Sequence, residues 1–179
     1  MLRKVQRDNA AGGNKMANIT RLSLKEIHIL ESCWIVEEKC AHIYRHFAKI
    51  FAKDPVVAEL WNKIAKEEDH HADQFRLAAC HLGTGIKDVK VNDRKVKSII
   101  AKLEKIHEEI RTCHPTLAEA FELALYIEKS LAEYHIGSIL TFADNELSKL
   151  FKKMELQDQG HLKMLQDAVE EIDAIEALK

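Results

Sequence analysis

Two acid-x-x-His pairs are the residues of this sequence best placed to do chemistry: Glu68 with His71, and Asp158 with His161. On an α-helix, residues three apart differ by roughly 300° of rotation and about 4.5 Å of rise, so each acid and its histidine leave one face. In both segments the rest of that face is apolar. A carboxylate and an imidazole buried there are costly unless something pairs with them, and a metal ion would do so.

Two further acids lie within apolar helical stripes. Glu37 precedes Glu68 by 31 positions, and Glu128 precedes Asp158 by 30 positions. Each half of the chain therefore has one helix with an inward carboxylate, followed by one helix with an acid-x-x-His pair. The six candidate metal ligands are Glu37, Glu68, His71, Glu128, Asp158 and His161.

The charge of this set suits two divalent ions. Four carboxylates and two neutral imidazoles carry four negative charges, which two divalent cations would neutralise. Without metal, the acids would repel one another in a low dielectric and some would bind protons. The mixture of oxygen and nitrogen ligands favours iron or manganese over the metals that prefer thiolates.

The first two helices must be antiparallel neighbours. Ser23 and Glu26 form a capping box at the start of helix one. Asp54 is the predicted N-cap of helix two, with Pro55 at its first position, and helix two extends to about Leu82. So short a connection leaves no room for a crossover.

The second half of the chain begins with a long connection from Gly83 to Pro115. Residues 86–92 look irregular, and residues 93–112 form an amphipathic helix whose apolar face has no carboxylate, which predicts packing only. Helix three starts at Thr116, and its stripe continues to Ile139 and Phe142. Asp144 caps helix four after a very short turn.

The sequence thus predicts an all-α four-helix bundle, up-down-down-up, with an additional helix in the long crossover between helices two and three. Residues 21–179 are expected to form the bundle. Residues 1–20 are polar and lack periodicity, which predicts a disordered leader or a non-native extension, with Met16 as an alternative start.

Composition excludes several classes of function. The net charge of −2 gives no reason to expect nucleic acid or an anionic membrane as partner. No apolar run approaches the roughly 20 residues of a membrane span, and we find no signal-peptide core. The cysteines form no C-x-x-C pair, which argues against a zinc knuckle or a rubredoxin-type iron site. We expect them to be buried and reduced in a cytoplasmic protein: Cys33, Cys40, Cys80 and Cys113.

Over residues 23–172 the chain resembles a rubrerythrin-like member of the ferritin-like superfamily. The matching segments are Glu37-x6-Tyr44-x2-Phe47-Ala48, Glu68-x-x-His71-Ala72-x-x-Phe75, Glu128 with Tyr134, and Asp158-x-x-His161. The resemblance implies two iron ions, with manganese possible, and reduction of hydrogen peroxide or dioxygen. It also implies an external redox protein as electron donor and a homodimer. The hydroxyls of Tyr44 and Tyr134 would orient ligands or proton transfers.

The chain departs from the family pattern in three ways. Asp158 replaces the usual glutamate and is one methylene shorter. The rubredoxin-like domain that often supplies electrons is missing from this sequence. An additional inward glutamate in helix three has no counterpart, because Leu131 occupies the next turn and Glu133 points elsewhere; His135 is a candidate substitute.

The same sequence allows alternative ligands and alternative functions. Glu67 and His70 are local rivals of Glu68 and His71. The same centre would also serve a ferroxidase that handles iron, or the bundle could be non-enzymatic. Trp34 and Trp61 are expected in the core or at a dimer contact. The remaining histidines are expected on the surface or in packing: His28, His42, His46, His81, His107 and His114.

Overall fold

The computed structural model describes residues 22–80, 86–90, 92–132 and 140–176. The predicted leader, residues 1–20, lies outside this range. The helices are α1 (Leu24–Ile50), α2 (Pro55–Cys80), α3 (Asp93–Thr112), α4 (Leu117–Ala132) and α5 (Asn145–Glu176), and the strands are β1 (Ile86–Val89) and β2 (Leu140–Phe142).

The helix caps predicted from the sequence are confirmed at the start of four helices. Each capping side chain accepts hydrogen bonds from backbone N–H groups of the first turn, which have no partner inside the helix. The caps are Ser23 with Glu26, Asp54, Thr116 with Glu119, and Asp144. Local chemistry therefore fixes where these helices begin.

Contacts between aromatic rings show how the helices run. Trp61 near the start of α2 contacts Phe121 near the start of α4, with ring centroids 4.9 Å apart. Phe75 near the end of α2 contacts Phe151 near the start of α5, at 5.5 Å. Hence α4 is parallel to α2, α5 is antiparallel to it, and the short α1–α2 connection makes α1 antiparallel as well. The fold is an all-α ferritin-like bundle with up-down-down-up topology.

Two expectations from the sequence were wrong, one in the segment before α3 and one in the segment before α5. Ile86–Val89 forms a strand where irregular structure was expected, and it pairs antiparallel with β2, Ile86 opposite Phe142. Phe142 was expected to continue helix three, yet it lies in β2. Segments this short have too few apolar positions to distinguish a strand from other structure, and pairing satisfies the backbone groups on their facing edges.

The crossover helix α3 packs as expected. Its buried residues are Val96, Ile99, Leu103, Ile106 and Ile110, and α3 contacts α1. Trp61 is fully buried, whereas Trp34 is half-buried. None of the helices in the described ranges is long and apolar enough to cross a membrane.

The cysteines follow expectation only in part. Cys33 and Cys40 on α1 are buried, but Cys80 and Cys113 are exposed, which corrects the expectation that all four are buried. The reason is position: Cys80 ends α2 and Cys113 follows the last turn of α3, where the apolar stripe of each helix has ended.

Candidate metal centre

Four helices bring the six candidate ligands into the middle of the bundle, and all six are buried. They are Glu37 on α1, Glu68 and His71 on α2, Glu128 on α4, and Asp158 and His161 on α5. Two groups of three have one oxygen or nitrogen atom per residue within 4.8 Å of one another. They are Glu37 with Glu68 and His71, and Glu68 with Asp158 and His161.

Glu68 belongs to both groups. Its Oε2 lies 3.3 Å from His71 Nδ1, and its Oε1 lies 3.2 Å from His161 Nδ1. Asp158 Oδ1 reaches across from α5 to lie 3.3 Å from the same nitrogen of His71. The two oxygens of Glu68 therefore face different histidines, an arrangement suited to bridging two cations.

Several buried atoms of the centre lack a conventional partner. Within the described part of the chain, Glu37 Oε2 and His71 Nε2 make no hydrogen bond, and Glu68 Oε1 and His161 Nδ1 have only each other, 3.2 Å apart, as partners. Leaving buried polar atoms unsatisfied costs about 1–3 kcal/mol each. Carboxylate oxygens and imidazole nitrogens are ligands for first-row divalent metals, so the residues present fit a metal centre.

The acids interact strongly with one another. Burial raises the pKa of Glu37 well above its ordinary value, and the neighbouring charges of Glu68, Asp158 and Glu128 raise it further. This is the repulsion expected from four carboxylates that meet in a low dielectric. Without cations, the protein must hold protons at the centre to offset that charge.

The histidines supply part of the compensating charge. Burial opposes ionisation of Glu68, but hydrogen bonds from His161 and His71 outweigh it and lower the pKa of Glu68. Burial likewise disfavours imidazolium, yet the hydrogen bond and charge of Glu68 raise the pKa of His71, and together with Glu128 and Glu67 they raise that of His161 to about 10. A raised pKa favours imidazolium, whose positive charge partly offsets the charge of the acids.

Glu67, the sequence rival of Glu68, has a different position. Its half-buried Oε2 accepts a hydrogen bond of 2.6 Å from Nε2 of His161, while Nδ1 of that ring faces Glu68. A carboxylate on the remote nitrogen is the usual support of a metal-binding histidine. His70 is exposed. The sequence did not reveal the Glu67 contact, since its partner lies 94 positions away.

Of the two predicted hydroxyl groups, those of Tyr44 and Tyr134, the structure describes the first. Tyr44 is buried, and its hydroxyl donates a 2.7 Å hydrogen bond to Glu128 Oε1. Burial and the charge of Glu128 raise the pKa of Tyr44, so its hydroxyl keeps its proton. Tyr134 lies outside the described residues, as do Glu133 and His135. Leu131, on the turn after Glu128, is buried.

Aromatic rings and one small cavity adjoin the centre. Trp61 stacks on Tyr44 with centroids 5.9 Å apart. A cavity of about 110 Å³ between α4 and α5 reaches two of the candidate ligands; it is lined by Glu128, Ala132, Glu155, Asp158, Gln159 and Leu162. The cavity has room for small molecules such as water, or for ions.

Comparisons with known proteins agree with this geometry. No curated protein and no solved structure gives a match to the chain. The Rubrerythrin family model matches residues 28–169, a range that includes all six candidate ligands. Members of that family generally bind two iron ions. With four helices in the required order and a buried carboxylate–histidine centre between them, the chain belongs to the Rubrerythrin family.

Proposed function

We propose that the protein is a di-iron carboxylate oxidoreductase that reduces hydrogen peroxide or dioxygen with Fe(II) and an external electron donor. The observation that supports this most directly is the pair of buried carboxylate–histidine groups that share Glu68. Manganese is the alternative metal, because it accepts the same ligands.

In this proposal Glu37, Glu68 and His71 hold one ion, and Glu68, Asp158 and His161 hold the other. Glu128, whose charge acts on both Glu37 and His161, completes the carboxylate set. When bound, two Fe(II) ions supply the two electrons which, with two protons, convert one hydrogen peroxide into two waters. Four carboxylates offset the four positive charges of the ions, so the filled centre is neutral.

The chain's own groups would then control how small molecules reach the centre and where a proton is held beside it. The cavity beside Glu128 and Asp158 has room for a molecule the size of peroxide or dioxygen. Tyr44 keeps a proton on an oxygen that touches Glu128. That hydroxyl is the group placed to hold or pass a proton beside the reaction, while Trp61 covers its ring.

We also propose an electron donor, an oligomeric state and a cellular location. The four cysteines of this sequence are not spaced to hold a rubredoxin-type iron, so we assign the return of electrons to a separate redox protein. The family resemblance supports a homodimer, and we propose a cytoplasmic location. The free thiols of Cys33, Cys40, Cys80 and Cys113 suit a reducing compartment.

The test uses protein purified without a metal-affinity tag. Anaerobic addition of Fe(II) should load two irons per chain, and stopped-flow mixing with peroxide should oxidise two Fe(II) per peroxide, faster than free iron reacts. Glu68→Ala, which removes the residue shared by both groups, should lose both results. Oxidation no faster than that of free iron would reject the oxidoreductase.

A ferroxidase that handles iron is the second candidate, and one observation favours it. Three acids line the cavity that reaches the centre: Glu128, Glu155 and Asp158. Such a lining attracts cations. Repeated additions of Fe(II) under air distinguish the two functions, since a ferroxidase passes on or stores many irons per chain and a peroxidase stops at two. Glu155→Gln should slow iron loading only.

A further inference from the structure

Four histidines outside the carboxylate centre gather where α1 meets the end of α3. His42 and His46 lie one turn apart on α1, His107 lies on α3, and His114 follows α3. The ring centroid of His46 lies 6.0 Å from that of His107 and 6.3 Å from that of His114. We call this group the histidine cluster.

Two of these rings have a fixed tautomer. Nδ1 of His42 lies 2.6 Å from the carbonyl oxygen of Glu38, and Nε2 of His46 lies 3.3 Å from that of Ile110. A carbonyl oxygen only accepts, so the nitrogen facing it carries the hydrogen and the other nitrogen carries a lone pair. A backbone carbonyl on one nitrogen is how proteins orient an imidazole that binds metal through the other.

Two ring separations, from His46 to His107 and from His46 to His114, come within about 1 Å of the spacing at a shared metal ion. With a zinc–nitrogen distance of about 2.0–2.1 Å and tetrahedral angles, two ligating imidazoles have centroids roughly 5 Å apart. The observed separations exceed this by about 1 Å. His114 is exposed and His107 is half-buried, so rotation of their side chains can close the gap without moving a helix.

The charges around the histidine cluster favour neutral imidazole. The nearby cations Lys39 and Arg111 are paired with carboxylates, Lys39 with Glu104 at 2.8 Å and Arg111 with Glu108 at 3.4 Å. Burial and the charges of His46, His42, Arg111 and Lys39 lower the pKa of His107, which favours its neutral imidazole. Neutral imidazole is the form that binds metals.

We propose that His42, His46, His107 and His114 form a second metal site, on the outer face of the bundle, for one zinc-class ion that ties α3 to α1. An all-imidazole ligand set selects Zn²⁺, Ni²⁺ or Cu²⁺, whereas the carboxylate-rich centre selects iron or manganese. The two sites therefore differ in ligand set as well as in position.

The test is a zinc titration of the full chain, purified without a histidine tag, in a Glu68→Ala background. That substitution disables the carboxylate centre, so zinc bound there is not counted. One Zn²⁺ per chain should still bind, and Cu²⁺ in its place should give an electron paramagnetic resonance spectrum with nitrogen hyperfine splitting. No zinc, or copper without nitrogen ligands, would overturn the proposal.

Variants of the histidine cluster complete the test. His46→Gln with His107→Gln should abolish zinc binding, and His114→Gln alone should weaken it by at least about tenfold. His28→Gln, at an exposed histidine elsewhere on α1, is the matched control and should bind as the parent does. Because His114 is exposed, its variant is expected to fold even if the double variant does not. Equal zinc affinity in His114→Gln and His28→Gln would contradict the proposal.

Discussion

The hydroxyl of Tyr44 on α1 donates a hydrogen bond of 2.7 Å to Glu128 Oε1 on α4, and both residues are buried. The bond joins helices that are far apart in sequence, and it occupies one oxygen of a candidate metal ligand. Trp61 stacks on the tyrosine ring and limits its movement. Tyr44 therefore both orients Glu128 and places a proton beside the centre.

Tyr44→Phe should separate these two roles from metal binding. The variant removes the hydrogen bond from Tyr44 to Glu128 Oε1, which should cost about 1.5–3 kcal/mol of stability, as for a hydrogen bond to a charged group. Two irons should still bind, but oxidation by peroxide should slow. Tyr126→Phe, at an exposed tyrosine of α4, is the control. Unchanged stability and rate in Tyr44→Phe would contradict the role given to its hydroxyl.

Glu67→Gln tests the support of His161. A neutral amide holds the Nε2 hydrogen less strongly than a carboxylate, so the opposite nitrogen becomes a weaker ligand. Metal affinity should fall about 10- to 100-fold, the usual effect of losing such a partner. Calorimetry with Co²⁺ under anaerobic conditions measures it, and Glu59→Gln, an exposed glutamate of the same helix, should bind normally. Equal affinities would show that Glu67 is dispensable.

Glu37→Gln should stabilise the metal-free protein. Folding raises the pKa of Glu37, so the unfolded chain releases this proton more readily, and the wild-type fold loses stability as pH rises above about 4.5. A neutral glutamine removes this loss, and by about pH 7 the variant should have the higher melting temperature in the presence of chelator.

With Fe(II) present the order should reverse, because the variant lacks one ligand. Anaerobic thermal unfolding with and without iron measures both effects. If metal raises the melting temperature of Glu37→Gln as much as that of wild type, Glu37 is not a ligand. If the metal-free variant is less stable than wild type, repulsion among the acids does not limit the stability of the metal-free protein.

Much of the centre could be predicted because it depends on local periodicity. The apolar stripe of helix two selects Glu68 over Glu67, and the structure leaves 2% of the Glu68 side chain exposed against 24% for Glu67. The same reasoning located Glu37, Glu128 and Asp158 on inward faces. Residues three or four apart share a face whatever the rest of the chain does.

Features that depend on distant partners could not be predicted in this way. The bond from His161 to Glu67 needs the relative register of α2 and α5, which periodicity does not fix. The pairing of Ile86 with Phe142 joins strands of four and three residues, too short to show an alternating pattern. The histidine cluster is a third case, because His46 meets His107 and His114 only when α3 folds back along α1.

The cysteines should divide into two classes of reactivity. Burial, with the nearby Glu37, raises the pKa of Cys33 to about 12, and burial also raises that of Cys40. Only the thiolate reacts quickly with disulfide reagents. At pH 8, Cys80 and Cys113 should react in seconds to minutes, and the buried pair only after denaturation. Mass spectrometry of alkylated peptides identifies the sites; early labelling of Cys40 would mean that α1 opens.

Trp61 should contribute far more stability than Trp34. Trp61 is fully buried and contacts Tyr44, Phe47 and Phe121, with ring centroids 4.9–5.9 Å away. Its replacement by alanine leaves a cavity among three helices and should cost about 3–5 kcal/mol.

Trp34 provides the matched comparison. It is half-buried, with Arg76 placed 5.0 Å from its ring centre. Trp34→Ala removes less buried surface and a cation–π contact worth about 0.5–1 kcal/mol at such a site. Urea unfolding followed by circular dichroism measures both variants. Equal losses of stability in the two variants would mean that Trp34 is covered by a second copy of the chain. Sedimentation of the wild-type protein would then reveal a dimer. That dimer should be weakened in Trp34→Ala and unchanged by Leu24→Ala at an exposed control position.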